Sequence, residues 1–327
     1  MMNTQAKGSS QLINKLNKIR VLNIIREHDQ ISRADISKIS GISAPTITRI
    51  VNTLIENENL VNEVGTGESS GGRKPTLVEF AATKNYVIGI DIGKTHIDGI
   101  LSDLNANTVS EIRINTKIEE GYESIISRTS DIICELKNDK KAKNKNIFGV
   151  GLAVAGLINR VKNIVELSPD FHWKNVDIQK DIFNRCHLPV KFDNVSRVMA
   201  LGELWYGAGR HVNNFIVINL GYGIGSGIII DNKPLYGPFG MAGELGHITV
   251  DKNSKIRCEC GNYGCIEALA SGRAIAMNAV NEIKKNKDNL INKLTEGKED
   301  LVTAELVARA VREGDVTASK IWYEAID

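Results

Sequence analysis

The sequence predicts an α/β protein in which a winged helix-turn-helix precedes a two-lobed body. Apolar residues between Leu12 and Leu54 recur at helical spacing around a tight glycine turn, and a basic hairpin follows them. Farther along, two buried strands each enter a glycine-containing turn and continue as a second strand. A cluster of cysteines near the end of the chain adds a predicted metal site.

Composition favours an intracellular protein with ordinary cores. The 327 residues are 42% apolar and 24% charged, which is typical of globular proteins. The net charge of +2 provides no general attraction for polyanions, so a nucleic-acid contact must be local. Clustered cysteines suggest a reducing compartment, and no apolar run reaches the length of a membrane span. We therefore expect a cytoplasmic protein without a membrane partner.

The first two predicted helices form the support of a DNA-reading module. Apolar positions from Leu12 to Ile25 follow a helical period. Ser32 is a candidate N-cap with Asp35 as its capping-box partner, and the second helix ends at Gly41. The predicted inward residues of this helix are Ile36 and Ile39.

A third helix, starting near Ser43, is the predicted recognition helix. Pro45 is tolerated there because amides of the first turn lack helical partners. Its inward stripe comprises Ile47, Ile50, Val51 and Leu54. The side chains expected to face the major groove of DNA are Ser43, Pro45, Thr46 and Arg49.

A hairpin from Leu60 to Phe80 is the predicted wing. Its glycine-rich tip ends in Arg73 and Lys74, which we expect to reach phosphates or a narrow minor groove. Acidic residues nearby temper the charge, so DNA affinity should depend on a dimer that binds two half-sites. The alternative is a protein-interaction module with a solvated basic loop.

The body opens with a buried strand from Val87 to Gly93, followed by a second strand from Ile97 to Leu101. A helix from Tyr122 to Leu136 and a strand from Ile147 to Gly156 come next. Later, a strand from Phe215 to Leu220 enters a glycine-rich turn. The second member of this hairpin is the predicted strand from Ile228 to Asp231. Two such hairpins fit the duplicated lobes of the actin-like ATPase architecture, where amides in the turns face nucleotide phosphates.

The cysteine cluster predicts a structural zinc site. Cys258, Cys260 and Cys265 have the spacing C-x-C-x4-C, and His247 lies shortly upstream. Zinc takes four tetrahedral ligands, commonly thiolate and imidazole. Glu244 lies three positions before His247, and Glu267 lies two after Cys265, so a metal-stiffened loop could aim both carboxylates at a ligand. The alternative is three buried thiols without a metal.

These motifs together resemble the ROK family of repressors and sugar kinases, especially its repressor branch, which includes xylose repressors. The resemblance covers nearly the whole chain. It rests on the winged helix-turn-helix, the Asp91-Ile92-Gly93 turn, the second glycine turn, the segment from Gly243 to His247 and the cysteine loop. It implies a ROK sugar-kinase fold and Zn²⁺ bound by His247, Cys258, Cys260 and Cys265. It further implies sugar contacts from Asn194, Glu244, His247 and Glu267.

The resemblance also implies that kinase activity is lost. Kinases of the family carry an Asn-Asp pair whose aspartate is the general base, and here the pair falls on Asn194 and Val195. Valine cannot accept a proton. Lys94 replaces a usual glycine and Tyr222 a usual threonine in the two phosphate turns. We expect no catalytic residue.

The predicted domains are a winged helix-turn-helix over residues 1–82, a first ROK lobe over 83–194 and a second lobe over 195–327. The zinc site belongs to the second lobe. The family normally continues beyond the final predicted helix, so we expect the second lobe to be incomplete at its C-terminal end.

The predicted function is that of a sugar-responsive transcriptional repressor of carbohydrate-metabolism genes. Its expected partners are operator DNA, a small sugar effector such as xylose or another monosaccharide, and a second copy in a homodimer. One alternative is an active ATP-dependent sugar kinase with an accessory DNA-binding domain. Another is a regulator controlled by a protein partner.

Overall fold

The computed structural model describes residues 3–67, 74–286 and 288–326, with side chains from residue 11 onward. The chain divides into two compact units. The first unit comprises Met1–Gly89, Gly99–Ile112 and Ile132–Val150. The second unit comprises Ile90–Asp98, Arg113–Asp131 and Gly151–Asp327. The domain boundaries after residues 82 and 194 stay a prediction.

The helix-turn-helix forms within the first unit. Its elements are α1 (Asn3–Glu27), β1 (Ile31–Ser32), α2 (Arg33–Ser40), α3 (Ala44–Glu56), β2 (Val61–Thr66) and β3 (Thr76–Phe80). The Ser32 hydroxyl accepts the backbone N–H of Asp35 at 3.1 Å, which caps α2. Gly41 ends α2 with φ of 66°, a left-handed conformation that glycine adopts without strain. Both predicted helix boundaries are confirmed.

The core of this module comes from all three helices and the hairpin. The predicted stripe of α3 is fully inside, and it packs with Ile36 and with Val21, Ile24 and Ile25 of α1. The prediction for Ile39 is wrong, because its side chain is 51% exposed. Ile39 lies three positions after Ile36, but the short α2 turns only a narrow face toward its neighbours.

The wing is an antiparallel hairpin. Val61 pairs with Phe80 and Thr66 pairs with Thr76, and β1 adds a third strand beside β3. The tip of the hairpin, including the predicted contact Arg73, lies outside the described residues. The predicted contact Lys74 is exposed next to β3. The hairpin itself is confirmed.

A five-stranded sheet follows in the order β11-β7-β4-β5-β6. Its elements and the intervening segments are β4 (Asn85–Ile92), β5 (His96–Asp103), β6 (Thr108–Asn115), α4 (Gly121–Lys137), β7 (Asn146–Val154), β8 (Leu157–Asn159), β9 (Ile164–Ser168), β10 (Trp173–Val176), α5 (Ile178–Cys186) and β11 (Val190–Asn194). Strands β8, β9 and β10 form a separate small antiparallel sheet. The predicted strand-turn-strand around Gly93 is therefore β4 and β5.

The second glycine turn joins β12 and β13. The remaining elements are α6 (Val195–Tyr206), β12 (Phe215–Leu220), β13 (Ile224–Ile230), β14 (Lys233–Pro234), α7 (Ile266–Ala270), α8 (Gly272–Lys285), α9 (Leu290–Leu294), α10 (Ala304–Arg312) and α11 (Val316–Ile326). Strand β13 begins at Ile224, four residues before the predicted start at Ile228, because the second half of the glycine run pairs with β12. Phe215 and Val217 pack on α6, whereas Ile216, Ile218 and Leu220 are exposed on the opposite face.

The last four helices pack around their own apolar cluster, which includes Ile275, Ile291, Val307 and Ile321. Short 3-10 turns occupy Ala82–Lys84, Ile118–Glu120, Lys140–Ala142, Leu245–His247 and Glu299–Leu301. Across the described residues, every helix is too short or too polar to cross a membrane.

Candidate metal and ligand-binding site

The predicted metal ligands come together in the second unit. One donor atom from each of His247, Cys258, Cys260 and Cys265 lies within 4.8 Å of the other three. The Cys258 sulfur is 3.5 Å from His247 Nδ1, and the Cys260 sulfur is 3.8 Å from that of Cys265. A tetrahedral zinc ion with Zn–S bonds of about 2.3 Å needs neighbouring ligand atoms about 3.5 to 3.8 Å apart. The donor types therefore suit zinc, and these two pairs of atoms have the spacing that a tetrahedral zinc ion needs.

Local backbone pairing holds the cluster. An antiparallel bridge between Arg257 and Tyr263 closes the loop that carries two of the cysteines, and a second bridge joins Thr249 to Cys265. Gly264 has φ of 67°, and a Cβ there would collide with the Asp251 carbonyl oxygen. The tight return of the chain to Cys265 thus requires glycine at this position.

Two of the thiols, Cys258 and Cys265, are hard to ionise. Burial raises the pKa of Cys258 to about 12, and the neighbouring Cys260 and Cys265 add to that rise. Burial also raises the pKa of Cys265. Packing three thiols this closely is costly for thiolates unless a divalent ion compensates their charge. This clustering favours a metal site over three unrelated buried thiols.

His247 links the metal cluster to two carboxylates. Its Nδ1 atom is on the cysteine side, and its Nε2 atom is 3.8 Å from Glu244 Oε2. Glu267 Oε1 lies 4.0 Å from His247 Nδ1. Burial raises the pKa of Glu244, a rise that His247 and Arg197 oppose. Two predicted sugar contacts, Glu244 and Glu267, thus lie beside the imidazole ring of a third, His247.

Glu267 is fixed by the second glycine turn. Its Oε2 atom accepts the backbone N–H of Ile224 at 2.8 Å. A Cβ on Gly223 would collide with the same carboxylate oxygen, so the close approach depends on a glycine in the turn. The turn that resembles a phosphate loop therefore also positions Glu267, a candidate contact for a sugar.

Asn194, the fourth predicted sugar contact, caps α6. Its Oδ1 atom accepts the N–H of Ser196 at 2.9 Å, and its amide donates to the Gly156 carbonyl at 3.1 Å. Each amide atom retains one further hydrogen-bonding position for a ligand. Val195 follows as the first residue of α6.

Asp193, the acidic residue nearest Val195 in the chain, is held by other groups. Its Oδ1 atom accepts the Arg197 Nε–H at 2.9 Å and the Asn194 backbone N–H at 2.7 Å. Arg197 is almost fully buried and also donates to the Gly240 carbonyl at 3.1 Å. These bonds tie the carboxylate, at the end of β11, to the start of α6. The sequence pattern did not single out Arg197, although its spacing of four residues from Asp193 on a helix start is a detectable signal.

Lys94 lies in a charge cluster that sequence reasoning did not foresee. Its ammonium is 3.2 Å from Asp170, 3.6 Å from Glu259 and 4.7 Å from the centroid of the Tyr222 ring. Glu259 also pairs with Arg273 at 2.5 Å. Burial alone would lower the pKa of Lys94, but Asp170, Tyr222 and Glu259 outweigh it and raise the pKa. Lys94 of the first glycine turn therefore contacts Tyr222 of the second turn as well as two acidic side chains.

A cavity of about 150 Å³ lies beside this cluster. Its lining includes Asp170, Tyr222, Glu259, Glu267 and Arg273. Of the four predicted sugar contacts, Glu267 lines the cavity, whereas Asn194, Glu244 and His247 lie outside its lining. The cavity and the His247 carboxylate pair thus share one residue.

The predicted DNA contacts on α3 are mostly on the outside. Ser43, Pro45 and Arg49 are exposed. Thr46 is half-buried, and its hydroxyl is 2.9 Å from that of Ser43. The contact of these four residues with DNA stays a prediction.

Comparison with known families identifies the body. Residues 87–326 match the ROK family. The chain belongs to the ROK family. Residues 16–58 match a family described as winged helix-turn-helix DNA-binding. The fold predicted from the sequence, a winged helix-turn-helix followed by a ROK fold, is confirmed.

Individual relatives include regulators and kinases. The chain is 38% identical to the xylose repressor of Caldicellulosiruptor bescii over 82% of this chain and 67% of that protein. A crystal structure of a ROK family transcriptional regulator, a homologue of the Escherichia coli MLC protein, is 28% identical with a TM-score of 0.78, over 94% of this chain and 76% of that one. A ROK family glucokinase from Streptomyces griseus, solved with glucose and AMPPNP, is 31% identical with a TM-score of 0.64, over 73% and 75%.

Proposed function

We propose that this ROK protein is a sugar-responsive transcriptional repressor of carbohydrate-metabolism genes that binds operator DNA as a homodimer. The observation that carries the proposal is the presence of a winged helix-turn-helix and a ROK body in one chain. The regulator structure aligns with 94% of the chain, whereas the glucokinase aligns with 73%. The xylose repressor relative supports a monosaccharide, such as xylose, as the effector.

In the proposed complex, α3 enters the major groove of DNA and the wing contacts the DNA backbone. Ser43, Pro45, Thr46 and Arg49 lie along the start of α3, and Lys74 and Arg73 belong to the wing. Short side chains near the start of the helix allow close approach to base edges, and Arg49 supplies a fork of donors suited to guanine.

Zinc is the proposed cofactor, bound by His247, Cys258, Cys260 and Cys265. The zinc-like spacing of two donor pairs and the clustering of three thiols with an imidazole support this assignment. When bound, the ion supplies a fixed anchor for the loop, and it holds the imidazole of His247 in one orientation. The Nε2 side of that ring is then directed toward Glu244.

The proposed sugar pocket consists of Asn194, Glu244, His247 and Glu267. Each sugar hydroxyl is both donor and acceptor, so a pocket of carboxylates, an amide and an imidazole can satisfy several hydroxyls at once. A sugar that lacks one hydroxyl leaves a buried group without its partner, at a cost of about 1–3 kcal/mol. That cost is the basis of the proposed effector specificity.

We further propose that the chain does not phosphorylate the sugar. Val195 lacks a proton acceptor, and the bonds from Arg197 and the Asn194 amide keep Asp193 from replacing it. Lys94 and its acidic partners fill the region between the two turns that would receive phosphates. A triphosphate would have to displace Asp170 and Glu259 from the lysine.

The DNA-binding claim is tested by fluorescence anisotropy of labelled DNA from upstream of the gene, titrated with the protein and with a panel of monosaccharides. We expect salt-dependent binding that one sugar releases or strengthens, and that sugar is the effector. Binding that no sugar alters would refute sugar control and favour control by a protein partner. The test variant Arg49→Ala should weaken discrimination between DNA sequences.

The loss of catalysis is tested by a coupled ADP-release assay with the same sugars. We expect no sugar-dependent ADP release with the unaltered chain. Sugar-dependent turnover would instead favour the alternative function, an active ATP-dependent sugar kinase with an accessory DNA-binding domain. In that case Asp193→Asn would show whether Asp193 serves as the base.

A further inference from the structure

The first helix forms a basic groove with the recognition helix. Sequence reasoning gave α1 only a supporting role, but a cavity of about 500 Å³ lies between the two helices in the first unit. Its lining residues are Asn14, Lys15, Lys18 and Ile19 of α1, and Arg49, Ile50 and Thr53 of α3. One side chain of this groove, Arg49, is a proposed base-reading residue.

Arg49 is held from α1. Its Nη2 atom donates to Asn14 Oδ1 at 3.1 Å. An amide oxygen orients the guanidinium without neutralising its charge, and the other N–H groups of the fork remain available to an acceptor. No carboxylate pairs with Arg49 within the described part of the chain. Asn14 thus limits the rotamers of an otherwise exposed, flexible side chain.

The charges of α1 favour a polyanion in this groove. Between residues 11 and 27 the helix carries Lys15, Lys18, Arg20 and Arg26, against Glu27 as its single acidic residue. Lys18 lines the groove, but its charge is neutralised by Glu58 at 2.5 Å. Lys15 is exposed, and among the described residues it has no ion-pair partner. Lys15, which has no ion-pair partner among the described residues, therefore lines the same groove as Arg49.

We propose that the groove between α1 and α3 is part of the DNA interface. Asn14 is a positioning residue that fixes Arg49 for one base edge, and Lys15 contacts a backbone phosphate next to the bases that α3 reads. DNA is the occupant because it offers both acceptors in one ligand, a base edge for the arginine and a phosphate for the lysine. This inference rests on the proposed DNA-binding function and extends it to a helix outside the helix-turn-helix pair.

The positioning role of Asn14 is tested with duplexes selected by the unaltered protein from a random library. We compare the selected duplex with its single-base variants for Asn14→Ala, Arg49→Ala and the control Asn23→Ala, an exposed asparagine on the same helix. Arg49→Ala should lose discrimination at one base pair. Asn14→Ala should reduce discrimination at the same base pair by about threefold to tenfold, the value of one hydrogen bond, and Asn23→Ala should match the unaltered protein.

The phosphate contact of Lys15 is tested by salt dependence. Lys15→Ala should reduce the slope of log K against log salt by about 0.9 for each bound copy and weaken all duplexes alike. The control Arg20→Ala removes an exposed charge of α1 outside the groove and should leave the slope unchanged. Unaltered discrimination in Asn14→Ala together with an unaltered slope in Lys15→Ala would overturn the inference while the DNA-binding function stands. Failure of the unaltered protein to select any duplex would overturn both.

Discussion

Replacing Lys94 by methionine removes the central charge of the cluster in the second unit but keeps the length of the side chain. Asp170 then loses its ion pair at 3.2 Å, whereas Glu259 keeps Arg273 at 2.5 Å. At 3.2 Å and an effective dielectric constant near 20, the gross attraction between unit charges is about 5 kcal/mol. Desolvation offsets much of this attraction, because the Lys94 and Asp170 side chains are only 22% and 32% exposed. We therefore expect a net coupling of about 1–2 kcal/mol between Lys94 and Asp170.

The assay is a double-mutant cycle by urea unfolding with Lys94→Met, Asp170→Asn and the double variant. The three tryptophans, Trp173, Trp205 and Trp322, all belong to the second unit, so their fluorescence reports on the unfolding of that unit. Each single variant should lower the unfolding midpoint without changing the slope of the transition, and the double variant should lose less than the sum. A coupling below about 0.3 kcal/mol would refute the ion pair as a stabilising contact.

Four further substitutions probe a helix cap, the core and the metal site. Ser32→Ala should destabilise the first unit by about 1 kcal/mol in thermal unfolding followed by circular dichroism, and no shift would mean that the cap is unimportant. Ile36→Ala should cost about 2–5 kcal/mol and Ile39→Ala less than about 0.5 kcal/mol in the same assay; equal costs would contradict the burial of one and exposure of the other. Cys265→Ser should lower zinc content after dialysis, measured by mass spectrometry, from one ion per chain to well below one, and retention of a full equivalent would exclude the cysteine as a ligand.

Local chemistry made the helix-turn-helix predictable. Ser32, Gly41 and Pro45 mark helix ends through bonds and backbone angles that depend on immediate neighbours, and each lies where the sequence predicts. The buried apolar stripe of α3 was likewise predictable, because its residues recur over several helical turns. Helix α2 is too short for its apolar spacing to show how wide its buried face is. The prediction that Ile39 faces inward is wrong for that reason.

The cluster of candidate metal ligands was predictable from the sequence, but the charge cluster around Lys94 was not. Three cysteines within eight positions and a glycine at Gly264 already define a closed loop, so His247 was the one distant member to find. The Lys94 pair joins residues 76 positions apart in the chain, and nothing in the local pattern of either indicates the other. Such a contact is determined by the tertiary fold, which sequence spacing alone does not give.

The exposed side of β12 has a practical consequence for any measurement of oligomeric state. Among the described strands, β12 is at the edge of its sheet, carries no charged residue, and presents Ile216, Ile218 and Leu220 at 60%, 54% and 75% exposure. Natural proteins usually place charged residues on such edge strands, because exposed edge strands pair with one another. A concentrated sample of this chain is therefore prone to sheet-to-sheet adhesion that mimics a specific dimer. Ile218→Lys should abolish that adhesion.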